Sequence, residues 1–356
     1  MHAFDTRAWA RGRAAPRACS VDVSSVVGKE QDPVPRLVNW WDAHQVSLYL
    51  AAIALGAVLG LVAPGAAPVL EHAIEPLLML LLFATFLAVP LIEIGRALRD
   101  LRFLGTLLVV DFALVPFVAW GLSRFVANDD GLLLGVLLVL LTPCIDYVIV
   151  FTGLAGGARA KLLAAAPLLM LVQILLLPLH LWVFAGRDVV GVIDVAPFLR
   201  AFLLLIVVPL AAAAAVQALA RRHPVGRATE TVMAGAMVPL MVLTLLAVIG
   251  SQVAAVGSEM GTLARLLPLY AGFVVLAVAI GYVASRITQL DVPSTRALMF
   301  SAATRNSLVV LPLALALPAS LALAPLAVVT QTLVELVAMV VMVRLVPALT
   351  PSGRER

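Results

Sequence analysis

Apolar runs of about 18 to 25 residues recur along the whole chain, and each is long enough to cross a lipid bilayer as a helix. Inside lipid every backbone polar group must be satisfied by the protein itself, which restricts the spanning structures to helices and closed barrels. The runs are continuous and do not alternate polar with apolar residues, so the sequence predicts an all-α membrane protein. The ten runs lie at approximately 46–63, 74–94, 101–125, 131–155, 161–184, 196–219, 229–252, 265–287, 295–317 and 324–347.

The composition excludes a soluble protein. Of the 356 residues, 63% are hydrophobic and 12% are charged, whereas a soluble domain is about half apolar and a quarter charged. The sequence pI of about 9.5 raises the possibility of a nucleic-acid partner. The basic residues lie in the loops and the N-terminal segment, where orientation signals belong, so we expect the lipid bilayer and no nucleic acid as a partner.

The distribution of Lys and Arg orients the spans. When the basic residues of the loops and span ends are assigned to alternate sides, one side carries nineteen of the 24 Lys and Arg residues and the other carries four; the last, Arg305, lies at mid-depth in the ninth span. This bias predicts a multi-pass protein of the inner (plasma) membrane with both termini in the cytoplasm. We expect residues 1–45 to be a disordered cytoplasmic tail, of which 1–40 could also precede the native start. Residues 46–350 then form the transporter domain, and residues 351–356 form the cytoplasmic C-terminus.

Ten spans divide into an inverted repeat of five plus five, with repeat one at 46–185 and repeat two at 196–347. An odd number of spans in each half reverses the orientation of the second half, as in many secondary transporters. The fourth span (LLTPCIDYVIVF) and the corresponding ninth span (SAATRNSLVV) are both interrupted at mid-depth by small and polar residues. The pattern predicts two discontinuous helices, broken at Pro143 and at Thr304 to Ser307, whose breaks form the binding site.

Two charges in the breaks are the most expensive residues to place in lipid. Asp146 in the fourth span and Arg305 in the ninth have opposite signs, and we expect them to pair. Such a pair either pins the two broken helices together or forms part of a substrate or proton site, and both roles are compatible.

Other polar residues of the spans extend the candidate site. Glu335 and Asp111 are intramembrane carboxylates and therefore candidate ion-coupling residues together with Asp146; Gln331 shares a helix face with Glu335. Cys144 is either a small buried hydrophobe or a soft ligand. Thr142 and Asn306 offer oxygens to a substrate or a cation, or simply satisfy the unwound backbone.

Three segments resemble the arsenical-resistance-3 arsenite exporters of the bile acid/sodium symporter superfamily. TPCIDYVIVF is similar to the proline–cysteine segment of their fourth span, SAATRNSLVV to a segment of their ninth span, and LVELVAMV to the glutamate-containing segment of their tenth. The resemblance covers about residues 45 to 350. It implies crossed discontinuous fourth and ninth helices, a panel domain, a core domain and a substrate site at the crossing.

The chain also departs from that family. A fourth-span cysteine and a ninth-span glutamate are the functional pair there; Cys144 matches the cysteine, but Leu308 stands where the glutamate is expected. Arg305 replaces an asparagine and Asp146 replaces a small residue. The resemblance thus implies a carboxylate moved to the fourth helix, with an added counter-ion.

The function expected from these features is secondary active transport, with a small inorganic or organic substrate and a proton or sodium as partners. The resemblance favours efflux of arsenite or antimonite by proton antiport, with a metalloid contact at Cys144 as the one metal-like interaction. Sodium-coupled symport of an organic anion is the alternative, and a non-transporting sensor or intramembrane enzyme is a remote one. The sequence carries no hydrolase or nucleotide-binding motif, so we expect neither enzyme activity nor a cofactor.

Overall fold

A computed structural model of the chain describes residues 33–88, 100–145, 147–186, 200 and 203–351. The chain divides into two units, Met1–Ala43 and His44–Arg356. Of the first unit only the beginning of a helix is described, so most of the predicted tail lies outside the described residues, as does the C-terminus beyond residue 351. Apart from the first residues of that helix, everything below concerns the second unit.

Helices are the only extended regular elements among the described residues. The longer ones are α1 (Pro33–Val62), α2 (Ala67–Ala88), α3 (Leu101–Val109), α4 (Val115–Ser123), α5 (Asp130–Leu140), α6 (Tyr147–Leu154), α7 (Arg159–Ala185), α8 (Val208–Ala220), α9 (Pro224–Ser258), α10 (Leu266–Ile287), α11 (Val292–Ala303), α12 (Ser307–Leu315) and α13 (Leu323–Leu349). Single turns lie between them: 3-10 helices at Pro64–Ala66, Arg124–Val126 and Ala319–Leu321, a short α-helix at Met260–Leu263, and π-helices at Val110–Leu114 and Leu203–Val207.

The chain is an all-α membrane protein. Within its described part, six helical segments are long and apolar enough to cross a bilayer: Pro64–Ala88, Leu101–Val126, Leu168–Ala185, Pro224–Ser258, Met260–Ile287 and Leu323–Leu349. The predicted fourth and ninth spans are absent from this set because each consists of two short helices, α5 with α6 and α11 with α12. The ten-span count and the inverted repeat stay predictions.

The helices of the second unit pack in two groups. Helix α2 contacts mainly α8 and α9, whereas α13 contacts mainly α5, α10 and α12. Two helices of the second group approach closely at Gly135 of α5, where an added Cβ would lie 2.6 Å from the carbonyl oxygen of Ala324. The absence of a side chain there lets α5 lie directly against α13, the helix that carries Glu335.

The first turn of α11 is anchored by two basic side chains. Lys161 of α7 donates to the Ser294 hydroxyl at 2.8 Å and forms an ion pair with Asp100 at 2.7 Å. Arg296 of α11 donates to two carbonyl oxygens at other helix ends, that of Ala155 at 2.9 Å and that of Thr350 at 2.8 Å. These contacts fix the starting position of α11, and thereby the depth at which it breaks.

The Asp100–Lys161 pair predicts a pH-dependent contribution to stability. The hydrogen bond from Lys161, with the backbone bond from Phe103, lowers the pKa of Asp100. A carboxyl whose folded-state pKa is depressed stabilises the fold above its unfolded pKa and loses that contribution as the pH falls through the folded pKa. We expect Asp100→Asn to lower the Tm slightly at pH 7, and this difference to shrink as the pH falls toward the folded pKa.

The measurement is thermal unfolding of the detergent-purified protein between pH 7 and pH 3. Asparagine can still cap α3, since it accepts the same backbone hydrogen bond, so the substitution isolates the charge. In a Lys161→Met background the effect of Asp100→Asn should shrink; an unchanged effect there would contradict the pairing.

Candidate functional site at the helix crossing

The two broken helices meet through their backbones. The N–H of Asn306 donates to the carbonyl of Thr142 at 2.8 Å, and the N–H of Cys144 donates to the carbonyl of Thr304 at 3.2 Å. Between them, Pro143 and Arg305 form an isolated antiparallel β-bridge. Unwound backbone in a membrane protein needs such partners because lipid offers none, so each break satisfies the other.

Side chains at the breaks cap the neighbouring helix ends. The hydroxyl of Thr142 donates to the carbonyls of Leu138 and Val139, and the hydroxyl of Thr304 donates to that of Phe300. Asn306 is the N-cap of α12, its side-chain oxygen accepting from Val309. These side chains therefore satisfy backbone groups at the helix ends, and the substrate contacts of Thr142 and Asn306 stay predictions.

Arg305 is fully buried and pairs with Asp111. Its Nη2 lies 3.1 Å from Oδ1 of Asp111, and both side chains are 0% exposed. The same nitrogen donates to the carbonyls of Ser301 and Ala302 at 2.7 Å each. The guanidinium carbon lies 5.5 Å from the centre of the Phe273 ring, within cation–π range. Arg305 is thus held on several sides.

A π-turn positions Asp111. In the segment Val110–Leu114 the N–H of Val115 donates to the carbonyl of Val110, five residues earlier. Pro116 follows at once and has no N–H to continue the regular ladder. Such turns recur at functional sites. The second carboxylate oxygen of Asp111 accepts from the hydroxyl of Ser301 at 2.7 Å, so both of its oxygens are occupied.

Glu335 is the second carboxylate at the crossing. It is 1% exposed and accepts three hydrogen bonds: from the hydroxyl of Tyr147 at 2.5 Å, from the backbone N–H of Arg305 at 2.8 Å, and from the side-chain amide of Gln331. Three donors match an ionised carboxylate, which only accepts. Two of them belong to the broken helices, so the bonding of Glu335 depends on the crossing.

The remaining predicted site residues are placed as follows. The Cys144 side chain is 1% exposed and lies at the bridge itself. Ser307 begins α12 and is 1% exposed. Asp146 is outside the described residues, so the predicted Asp146–Arg305 pair stays a prediction, while the observed partner of Arg305 is Asp111.

Several buried polar atoms at the crossing have no hydrogen-bond partner among the described residues. They are Nε of Arg305, the side-chain nitrogen of Asn306, Oγ of Ser307 and the side-chain oxygen of Gln331. Leaving a buried polar atom unpaired costs about 1–3 kcal/mol. Two donors, an acceptor and a hydroxyl are therefore available for a small polar guest or for water.

A cavity of about 480 Å³ lies between the two helix groups. It is lined by the ends of α2, α9, α12 and α13 and includes two carboxylates, Glu71 and Glu259, beside Gln252. The crossing residues are not part of its lining. The cavity marks an opening between the groups on the side where α9 ends.

Sequence reasoning missed three residues of the site: Tyr147, Ser301 and Phe273. Tyr147 could have been predicted from the sequence, since it follows the break directly and a buried tyrosine hydroxyl usually finds a hydrogen-bond partner. No sequence pattern indicated Ser301 or Phe273, because their contacts depend on the packing of helices that are distant in the chain. Asp111 was predicted as an ion-coupling residue, but its pairing with Arg305 was not.

Comparison with known proteins gives one family. The sequence profile of the Sodium Bile acid symporter family matches residues 75–259, just over half of the chain. The match includes Asp111 and the first break but ends before Arg305 and Glu335. No curated protein matches the chain.

The buried ion pair makes a prediction about stability. Asp111→Asn leaves the Arg305 charge buried without its counter-ion, and breaking a buried pair in this way costs about 3–5 kcal/mol. Ser301→Ala, which removes one neutral-donor hydrogen bond to the same carboxylate, should cost only about 0.5–1.5 kcal/mol. Unfolding of the purified variants in denaturant measures both.

Asp146→Asn in the same assay tests the pair that the sequence predicted. Equal losses for Asp111→Asn and Ser301→Ala would contradict the dominant role of Asp111.

Proposed function

Since the chain belongs to the sodium bile acid symporter family, and is therefore a secondary transporter, we propose that it exports arsenite or antimonite in exchange for protons. The observation that carries this proposal is that a buried thiol lies at the same crossing as a buried carboxylate whose donors come from the two broken helices. The orientation is that of an inner-membrane protein with both termini in the cytoplasm, and the domain comprises residues 46–350.

Glu335 is the proton carrier. The Asp111 carboxylate has a side-chain counter-ion, Arg305, at 3.1 Å. Glu335 instead relies on hydrogen bonds, and Tyr147 and Arg305 bring two of them from the broken helices. When a rearrangement at the crossing withdraws these donors from Glu335, an isolated buried charge is so costly that the carboxylate takes up a proton. Rejoining the donors releases it.

Cys144 contacts the cargo. Trivalent arsenic and antimony are thiophilic, and a cysteine sulfur is the soft ligand that suits them. Exchange of one hydroxide on neutral As(OH)3 for the Cys144 sulfur forms an As–S bond, breaks an As–O bond and releases water with the thiol proton. One sulfur holds the cargo weakly enough to release it. The amide of Asn306 and the hydroxyl of Ser307 are available for the remaining hydroxyl groups.

The cavity supports a route to the outside. By the alternation of Lys and Arg, the ends of α2, α9, α12 and α13 that line it lie on the side with few basic residues, which is the outer side. Cargo leaving the crossing between the two helix groups would emerge there.

Sodium-coupled uptake of an organic anion is the second candidate, favoured by the family that the profile names. In that function Arg305 would attract the anion. Its guanidinium is 0% exposed and engaged with Asp111, which disfavours this role. Uptake of an organic anion that requires external sodium would support the second candidate over the first.

The thiol is tested by substitution. Cys144→Ser keeps the size of the side chain and removes the soft ligand, so we expect it to abolish arsenite resistance in a sensitive host without a large change in Tm or expression. Cys144→Ala controls for the loss of any hydrogen bond. Full resistance in either variant contradicts the role of Cys144.

Proton exchange is tested in everted vesicles, whose lumen corresponds to the outside. In vesicles whose membrane contains the wild-type protein and whose lumen is acidified, arsenite added to the bath should enter the lumen as protons leave it. The lumen should therefore become more alkaline, as reported by a pH-sensitive dye. Glu335→Gln keeps the shape and cannot titrate, so the signal should fall at least tenfold. Glu75→Gln, an exposed position on α2, is the matched control and should behave as wild type. A normal signal in Glu335→Gln would exclude it as the carrier.

A further inference from the structure

We propose that the guanidinium of Arg305 is a tethered cation that occupies an alkali-cation site built by the ends of α5 and α11, and that this chain consequently binds no sodium there. This inference concerns the cation site alone and depends neither on the cargo nor on the role of Glu335.

The oxygens around the guanidinium form a cation-binding set. Nη2 donates to the carbonyls of Ser301 and Ala302 at 2.7 Å and to Oδ1 of Asp111 at 3.1 Å. Nη1 lies 3.5 Å from the carbonyl of Leu140. Backbone carbonyls together with one carboxylate are what hard cations bind in proteins.

The positions of these oxygens at helix ends also indicate a cation site. Leu140 is the last residue of α5, and Ser301 and Ala302 lie in the last turn of α11. Carbonyls in a final turn have no partner within the helix, and the negative ends of both helix dipoles converge on this point. In transporters with broken helices, such ends coordinate the coupling cation. Here a side chain of the break itself supplies the positive charge.

The oxygen set holds one cation. One guanidinium and one carboxylate compensate each other at 0% exposure. A sodium ion added to the same oxygens would lie beside the guanidinium as a like charge and would share its one carboxylate, which is unfavourable. The guanidinium also makes a cation–π contact, since its carbon lies 5.5 Å from the centre of the Phe273 ring.

Because the guanidinium is covalently attached to the chain, the site cannot release its cation. A bound ion exchanges with the solution, whereas the guanidinium remains attached to the backbone that bridges to Pro143. The site therefore holds its charge in every state of the crossing and stabilises it without drawing on an ion gradient.

The test uses the full-length protein in detergent and measures Tm in sodium chloride and in choline chloride at equal ionic strength, and in choline chloride with millimolar guanidinium added. The variants are Arg305→Ala, Arg305→Gln and the double variant Arg305→Ala/Asp111→Asn. Transport is not a readout, so failure of the proposed arsenite export leaves the result unaffected.

We expect the wild type to have the same Tm in all three solutions. Arg305→Ala exposes the oxygen set to a mobile ion, so sodium or guanidinium should raise its Tm saturably by roughly 3 to 8 °C. Arg305→Gln should respond more weakly, because its amide fills part of the space. The double variant lacks the carboxylate and should not respond.

Recovery of Arg305→Ala only when sodium or guanidinium is present during purification also supports the proposal. A saturable sodium effect on the wild type would overturn it. Arg305→Ala that is indifferent to both ions, or that fails to fold in all three solutions, would equally overturn it and leave a purely structural ion pair.

Discussion

Two backbone hydrogen bonds, between Asn306 and Thr142 and between Cys144 and Thr304, hold the centre of the protein together. A helix broken inside a membrane exposes N–H and C=O groups that lipid cannot satisfy, and the cost of one break alone is several kcal/mol. Two breaks placed side by side remove that cost for each other. The pairing explains why the small and polar residues occur in both spans, and it brings a thiol, a guanidinium and a carboxylate to one point.

Charge at that point is divided between two carboxylates with different partners. Asp111 is compensated by Arg305 and by the Ser301 hydroxyl, all within the fixed geometry of a π-turn and the end of α11. Glu335 belongs to the long helix α13 and receives hydrogen bonds from the two broken helices that pack against it. A rearrangement at the breaks that withdraws the Tyr147 hydroxyl and the Arg305 N–H deprives Glu335 of these donors, whereas Asp111 keeps its side-chain ion pair. This asymmetry is the physical basis for assigning proton exchange to Glu335.

Local sequence signals predicted the helical membrane class and the two interruptions, because Pro143 and the polar run at Thr304 to Ser307 stand out within apolar spans. The spacing of Gln331 and Glu335 likewise indicated their shared face, and Gln331 donates to Glu335. The partner of Arg305 was harder to predict from the sequence. Asp111 lies 194 residues away, and its approach depends on how α3 and α11 pack, which no local pattern encodes. Asp146 was predicted as the partner because it lies in the fourth-span break itself, and it is outside the described residues.

Proton exchange by Glu335 is tested most directly by infrared difference spectroscopy of the protein in lipid, with arsenite added at fixed pH. We expect a carboxylic-acid C=O band that appears or disappears with arsenite in the wild type, shifts in deuterated water, and is absent in Glu335→Gln. A band that persists unchanged in Glu335→Gln, or a wild-type spectrum without any carboxylic-acid change, would contradict it.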